Sequence, residues 1–260
     1  MKIKLHSAIF VLLLIFAPLS HAVLDLPSNL INFTSPQGQE LLEHSLKKSW
    51  KNPGESNTLK LISHFATQKT TTYCGVASLA MVMNSSNLQK IDDPLHKPFH
   101  YFTQDNFFNE EVEAIVPEKS KDGIKGVENI GITLDQLTLM AKSFGLYAKA
   151  HHANEIGSLK EFRKVLEKAF SHQQFVIVNF TRVGLGQEGG GHHSPIAAYD
   201  VKNDRVLMLD VARYKYPAYW VTTEDLWKGV NTTDSDAKAT RGILVIDRDP
   251  QTPPAPRTQE

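Results

Sequence analysis

The chain of 260 residues carries 28 Lys plus Arg against 28 Asp plus Glu, and 41% of it is hydrophobic. A formal charge of zero gives no electrostatic case for a nucleic-acid partner, and the length is ample for one large domain with its own core. The single cysteine, Cys74, excludes an internal disulfide framework.

Lys2 and Lys4 precede an apolar run from Ala8 to Ala17, and Ser20 and Ala22 then place small residues where a signal peptidase inspects the chain. Residues 1–22 therefore read as a cleavable export signal, with a buried N-terminal helix as the alternative. The run is shorter than the roughly 20 apolar residues that span a bilayer as a helix, and no comparable run follows. Cleavage would remove two lysines, leaving 26 basic against 28 acidic residues and a periplasmic or secreted product.

Ser35 and Pro36 give an N-cap and a first helical position. Leu41, Leu42, Leu46 and Trp50 continue at helical spacing until Asn52, Pro53 and Gly54 stop the run. A second short helix is predicted from Thr58 to Phe65. The polar, β-branched stretch from Gln68 to Thr72 is a poor helix former, after which Cys74 opens an apolar helix over residues 75–84. Residues 85–130 are loop-rich. Thr133 with Gln136, and Ser158 with Glu161, form capping-box patterns ahead of two further helices.

Beyond residue 174 the pattern changes to short, apolar, turn-bounded strands at Phe175–Phe180, Pro195–Tyr199, Arg205–Asp210, Tyr219–Val221 and Gly242–Ile246. Asn203 and Asp204 mark a hairpin turn, and residues 249–260, Pro-rich from Pro250, read as an unstructured tail. Helices first and an antiparallel sheet second give an α+β domain over residues 23–248, with a cleft between its two parts.

Chemistry concentrates at two places. A thiol is a useful nucleophile only as thiolate, and the free N–H groups at a helix N-terminus favour that anion, which is where Cys74 stands. A lone buried cysteine also serves simply as a small hydrophobic residue, but an unpaired thiol is a liability in an exported protein. Gln68, one loop upstream, offers an amide donor for an oxyanion, or is an ordinary solvated glutamine. The second place is Gly189-Gly190-Gly191-His192-His193-Ser194-Pro195, where three residues without side chains leave room for a substrate backbone. Strand alternation sends the two histidines to opposite faces, so one of them should face the cleft. Asp210, across the hairpin turn, is placed to accept a hydrogen bond from that imidazole, which completes a nucleophile, base and orienter.

Two other patterns lead elsewhere. Gly184, Gly186 and Gly189 satisfy G-x-G-x-x-G, but a strand rather than a helix follows, so no helix N-terminus is available for a pyrophosphate. His151, His152, His192 and His193 suggest a metal site only weakly, because adjacent histidines on an extended segment diverge and no second cysteine joins them.

Several blocks in register resemble the catalytic domain of phytochelatin synthases, papain-like cysteine peptidases that act on glutathione. They are Thr72-Tyr73-Cys74-Gly75-Val76-Ala77-Ser78, Tyr101-Phe102-Thr103-Gln104-Asp105-Asn106-Phe107-Phe108, Gly191-His192 with Ser194-Pro195, and Leu209-Asp210-Val211-Ala212-Arg213-Tyr214-Lys215-Tyr216-Pro217. Asn231-Thr232, Asp234-Ser235 and Thr240-Arg241-Gly242 extend the match. The resemblance implies Cys74 as nucleophile, His192 as acid and base, Asp210 as its orienter and Gln68 as oxyanion donor. His192 is chosen because it precedes x-Ser-Pro, whereas His193 stands where an aliphatic residue is common. The same resemblance implies that Asp234 and Arg241 hold the amino and carboxylate groups of a γ-glutamyl unit, with Arg182 near the acyl site; an ordinary solvated surface charge is the alternative for each.

The family's cysteine-rich C-terminal extension does not follow here, which favours removal of glycine from glutathione over sustained polymer synthesis. The resemblance implies no tightly bound cofactor and no metal ligands in the protein, although cadmium or zinc can enter as thiolate complexes of the substrate. Glutathione is the expected partner, without nucleic acid or a membrane span, and a homodimer is allowed. The alternatives are a general papain-like peptidase or amidase, and a non-enzymatic thiol- or metal-binding envelope protein.

Overall fold

The computed structural model describes residues 23–47, 56–106, 108–116, 127 and 130–250. Residues 1–22, read from sequence as an export signal, Trp50 and residues 251–260 lie outside the described residues. Strand β1 (Ile31–Asn32) precedes helices α1 (Pro36–Leu46), α2 (Asn57–Ser63), α3 (Cys74–Ser85), α4 (Glu110–Ile115) and α5 (Leu134–Ser143). Then follow β2 (Leu146–His152), α6 (Ala153–Ile156), α7 (Leu159–Ser171), β3 (Phe175–Thr181) and a 3-10 turn at Arg182–Leu185. The chain continues through β4 (Gly191–Asp200), β5 (Arg205–Met208), β6 (Tyr219–Thr222), α8 (Thr223–Val230), the short pair β7 (Thr233–Asp234) and β8 (Ala239–Thr240), and β9 (Gly242–Pro250).

Seven strands form one antiparallel sheet in the order β1-β6-β5-β4-β3-β9-β2, which agrees with the α+β expectation. Its central strands are buried on both faces. Ile177, Ala197, Leu207 and Trp220 pack with α3 and α5, while Val176, Phe180, Ile196 and Met208 pack with Phe162 and Leu166 of α7 and Leu226 of α8. Helices thus cover both faces, where the sequence pattern suggested a helical part beside a sheet. All twelve residues of α3 are buried, as expected of a helix that is apolar all round.

The helix-start signals mostly hold. Ser35 caps α1 by accepting from the Gly38 N–H, and the box of Thr133 and Gln136 is complete. The second box is half formed: Ser158 accepts from the Glu161 N–H, but the Glu161 carboxylate turns to Lys164 Nζ at 2.7 Å. Asp204 takes the expected turn with φ of 50°, and Asp200 accepts from the Lys202 and Asn203 N–H groups to close it.

Several elements differ from the prediction: β1, α4 and α6 were not expected, and β5 ends at Met208 and not at Asp210. β2 was not foreseen because Lys149, His151 and His152 dilute its alternation on a strand at the sheet edge. β4 begins at Gly191, four residues early, so both histidines lie within the strand. β9 runs to Pro250, into the segment read as a tail. No helix of the described residues is long and apolar enough to cross a membrane.

Candidate active site

Cys74 is the first residue of α3, and the N-cap residue Tyr73 provides no side-chain cap, so the first-turn N–H groups favour an anion there. Ser78, one turn on, donates from Oγ to the Cys74 carbonyl at 2.7 Å and to the His193 carbonyl at 3.3 Å, tying the helix start to β4. Gly75 permits the close approach of Ile132, whose side chain would lie 2.7 Å from a Cβ there.

Along β4 the alternation is obeyed. His192 lies opposite Phe180 in register and packs edge-to-face on its ring, whereas His193 lies opposite Asn179 on the face that carries α3. Both rings nevertheless reach the cysteine, because Cys74 opens α3 against the beginning of the strand. His193 Nδ1 stands 3.8 Å from the sulfur, within hydrogen-bonding reach, and His192 also acts on the sulfur and lowers its pKa. The expectation that one histidine alone would face the nucleophile is corrected accordingly.

His192 Nε2 donates to Asp210 Oδ1 at 2.8 Å, which leaves Nδ1 for the sulfur. Asp210 is fully buried, two residues past the end of β5. Its two oxygens also accept from Arg182 Nη1 at 2.7 Å, Arg182 Nη2 at 2.9 Å and the Ala212 N–H at 3.0 Å. Four donors saturate the carboxylate. Arg182 is 4% exposed, donates also to Gln187 Oε1 at 2.8 Å and lies over the Tyr216 ring. Its guanidinium is paired with Asp210 and still close enough to Cys74 for their charges to interact, so Arg182 stands near the sulfur but is not a free cation.

These contacts separate the protonation states. Burial opposes the charge on Asp210, but the positive charge and hydrogen bond of His192, joined by Arg182, hold its carboxyl far below the usual carboxylate range. Burial likewise opposes a charged His192, yet Asp210 and the Cys74 sulfur raise it above an ordinary imidazole. Burial pushes the Cys74 thiol up, but His192 and then His193 outweigh it and bring the thiol well below its ordinary range. The arrangement favours a thiolate beside an imidazolium.

A family model described as phytochelatin synthase matches residues 22–243. The chain belongs to the phytochelatin synthase family. It is 32% identical over 225 residues to glutathione gamma-glutamylcysteinyltransferase 3 of Lotus japonicus, covering 84% of this chain and 42% of the relative. It is 32% identical over 222 residues to glutathione gamma-glutamylcysteinyltransferase 2 of Arabidopsis thaliana, covering 84% of this chain and 45% of the relative. The glutathione gamma-glutamylcysteinyltransferase of Schizosaccharomyces pombe is 26% identical over 224 residues, covering 86% of this chain and 50% of the relative. The chain thus spans half or less of the length of these curated relatives.

The remaining residues implied by resemblance to the phytochelatin synthases form a second group. Arg241 Nη1 donates to Asp234 Oδ2 at 3.1 Å and to Asn179 Oδ1 at 2.7 Å, and Asn179 Nδ2 donates to Asp234 Oδ2 at 3.2 Å. Gly191 joins this group to the first: a Cβ there would lie 2.5 Å from Arg241 Nη1, so the guanidinium occupies the room beside His192. Arg241 Nε is buried without a partner among the described residues.

Gln68 is buried and tied by its N–H to the Val211 carbonyl at 2.8 Å, next to Asp210. Its Nε2 donates to the Thr70 carbonyl at 2.6 Å and to Tyr214 Oη at 3.1 Å. Sequence reasoning gave no role to Tyr214, Gln187 or Asn179; Tyr214 lies within a block that resembles the family, and Asn179 gives a signal only once its register opposite His193 is known. His152 stands elsewhere, between the Thr240 carbonyl at 2.5 Å and Asp135 Oδ1 at 3.0 Å.

Proposed function

We propose that this chain is a cysteine-dependent glutathione γ-glutamylcysteinyltransferase and hydrolase that works through a γ-glutamylcysteinyl thioester on Cys74. One observation carries the reading: a buried Cys74, His192 and Asp210 relay, held by Arg182, in a member of the phytochelatin synthase family. The thiolate attacks the carbonyl that joins cysteine to glycine, the sulfur–carbon bond forms, and His192 passes its proton to the departing glycine amine. His192 then takes a proton from water, giving γ-glutamylcysteine, or from the α-amine of a second glutathione, giving a short phytochelatin. Hydrolysis is the main outcome in this reading.

Charge complementarity supports the substrate. A γ-glutamyl group presents an ammonium and a carboxylate on one carbon, and Asp234 beside Arg241 offers the opposite charges. The unsatisfied Arg241 Nε supplies a further donor for that carboxylate. Gln68 serves as oxyanion donor once an Nε2 hydrogen turns from Tyr214 Oη. Heavy-metal ions enter as thiolate complexes of the substrate, and residues 1–22 direct export.

Mass measurement of the protein mixed with glutathione tests the reading. The expected result is a γ-glutamylcysteinyl adduct on Cys74 with release of free glycine. Absence of both, with cleavage of unrelated peptides, would instead establish a general papain-like peptidase.

A further inference from the structure

We propose that His193 acts directly on the nucleophile, donating from Nδ1 to the Cys74 sulfur as a second imidazole partner, so that the sulfur is held between two rings of different duty. The inference rests on Cys74 being the nucleophile. His192 has a carboxylate behind it and carries the mobile proton. His193 has no such support. Its Nδ1 stands 3.8 Å from Sγ, and its Nε2 is buried without a hydrogen-bond partner among the described residues.

That asymmetry assigns the tautomer. With the proton on Nδ1, the sulfur receives a donor and the orphaned Nε2 is a bare lone pair. With the proton on Nε2, a buried N–H would be orphaned, the rarer and costlier arrangement, and a lone pair would face the thiolate. The ring is also fixed in place. The Ser78 hydroxyl joins the His193 carbonyl to the Cys74 carbonyl, which holds this part of β4 against the helix start.

The other groups that act on the sulfur are His192 from β4, the Arg182 guanidinium from the 3-10 turn, Tyr214 beyond β5, and Asp210 through His192. His192 is the other imidazole among them, but its proton is the mobile one, so it does not replace the His193 contact. A donor that stabilises the thiolate makes it a weaker nucleophile but a better leaving group, which assists departure of sulfur when the thioester is resolved.

The test follows alkylation of Cys74 by iodoacetamide against pH, which scores the sulfur and does not depend on glutathione turnover. In His193→Leu, loss of one hydrogen bond to an anion leaves about tenfold less thiolate on the acid limb, while each thiolate reacts about threefold faster. The observed rate should therefore fall about threefold on the acid limb and rise about threefold on the plateau. A residue of purely structural importance would lower both. His193→Asn, which keeps an N–H near the Nδ1 position, should restore the wild-type profile. A wild-type profile in the Leu variant, or an Asn variant indistinguishable from Leu, overturns the proposal. Should the Leu protein fail to fold, nitrogen NMR of labelled histidine in the wild-type chain decides: Nδ1–H at His193 supports the proposal, and Nε2–H refutes it.

Discussion

Arg182→Met is the substitution for which the structure gives the fullest expectation. Methionine keeps much of the length and apolar stem of arginine but removes the donors at 2.7 and 2.9 Å from Asp210. The carboxylate would keep only His192 Nε2 and the Ala212 N–H, still fully buried. Breaking a buried ion pair by removing one partner typically costs ~3–5 kcal/mol. For a domain of this size each kcal/mol moves the midpoint of thermal unfolding by about 2–4 °C, so a fall of roughly 6–20 °C is expected. Chemistry should shift as well. Arg182 acts on the charge of Cys74, so its loss makes the thiolate less favourable and moves the acid limb of the alkylation profile to higher pH. His192 would then be the one charged partner left to Asp210, which favours the imidazolium and moves the alkaline limb of turnover upward too. Scanning calorimetry and pH profiles provide both readouts. A variant as stable as wild type whose only defect is a raised KM would refute this reasoning and return Arg182 to direct substrate binding.

In wild type, activity that needs the thiolate–imidazolium pair should rise with Cys74 ionisation, well below the ordinary thiol range, and fall as His192 loses its proton above the ordinary imidazole range. The linked stability follows the same signs: the part owed to His192 is full below the unfolded imidazole pKa and is lost as pH rises through the raised folded value, whereas the part owed to Asp210 is present above the usual carboxylate range and is lost as pH falls through its depressed one. Equilibrium unfolding across pH reads both. Gly191→Ala would put a methyl group 2.5 Å from Arg241 Nη1, so KM for glutathione should rise at least severalfold, by loss of part of the charge-assisted carboxylate contact, while iodoacetamide reactivity of Cys74 stays within about twofold. A joint loss of both would show that Gly191 supports the nucleophile and not the Arg241 site.

Local chemistry in the sequence went far towards the site. A cysteine at the start of an apolar helix, a histidine after small residues, and an aspartate across a hairpin turn are each legible because helix termini, strand starts and turns have composition rules that act over a few residues. The helix caps at Ser35 and Thr133, and the β pattern beyond residue 174, follow from the same short-range physics. These signals gave the α+β class and pointed to Cys74, Asp210 and one of the two adjacent histidines, while the choice of His192 came from the family resemblance.

Tertiary structure decided what depends on register and on contacts between distant segments. Arg182 and Asp210 are 28 residues apart and meet because they follow β3 and β5, the two strands that flank β4, while Asn179 of β3 and Asp234 of β7 are 55 apart and meet across two separate sheets. Alternation correctly sent His192 and His193 to opposite sides of β4, yet it could not reveal that Cys74 begins its helix where both rings reach the sulfur. A strand pattern specifies which way a side chain leaves the backbone, but the packing of a second element determines what that side chain meets.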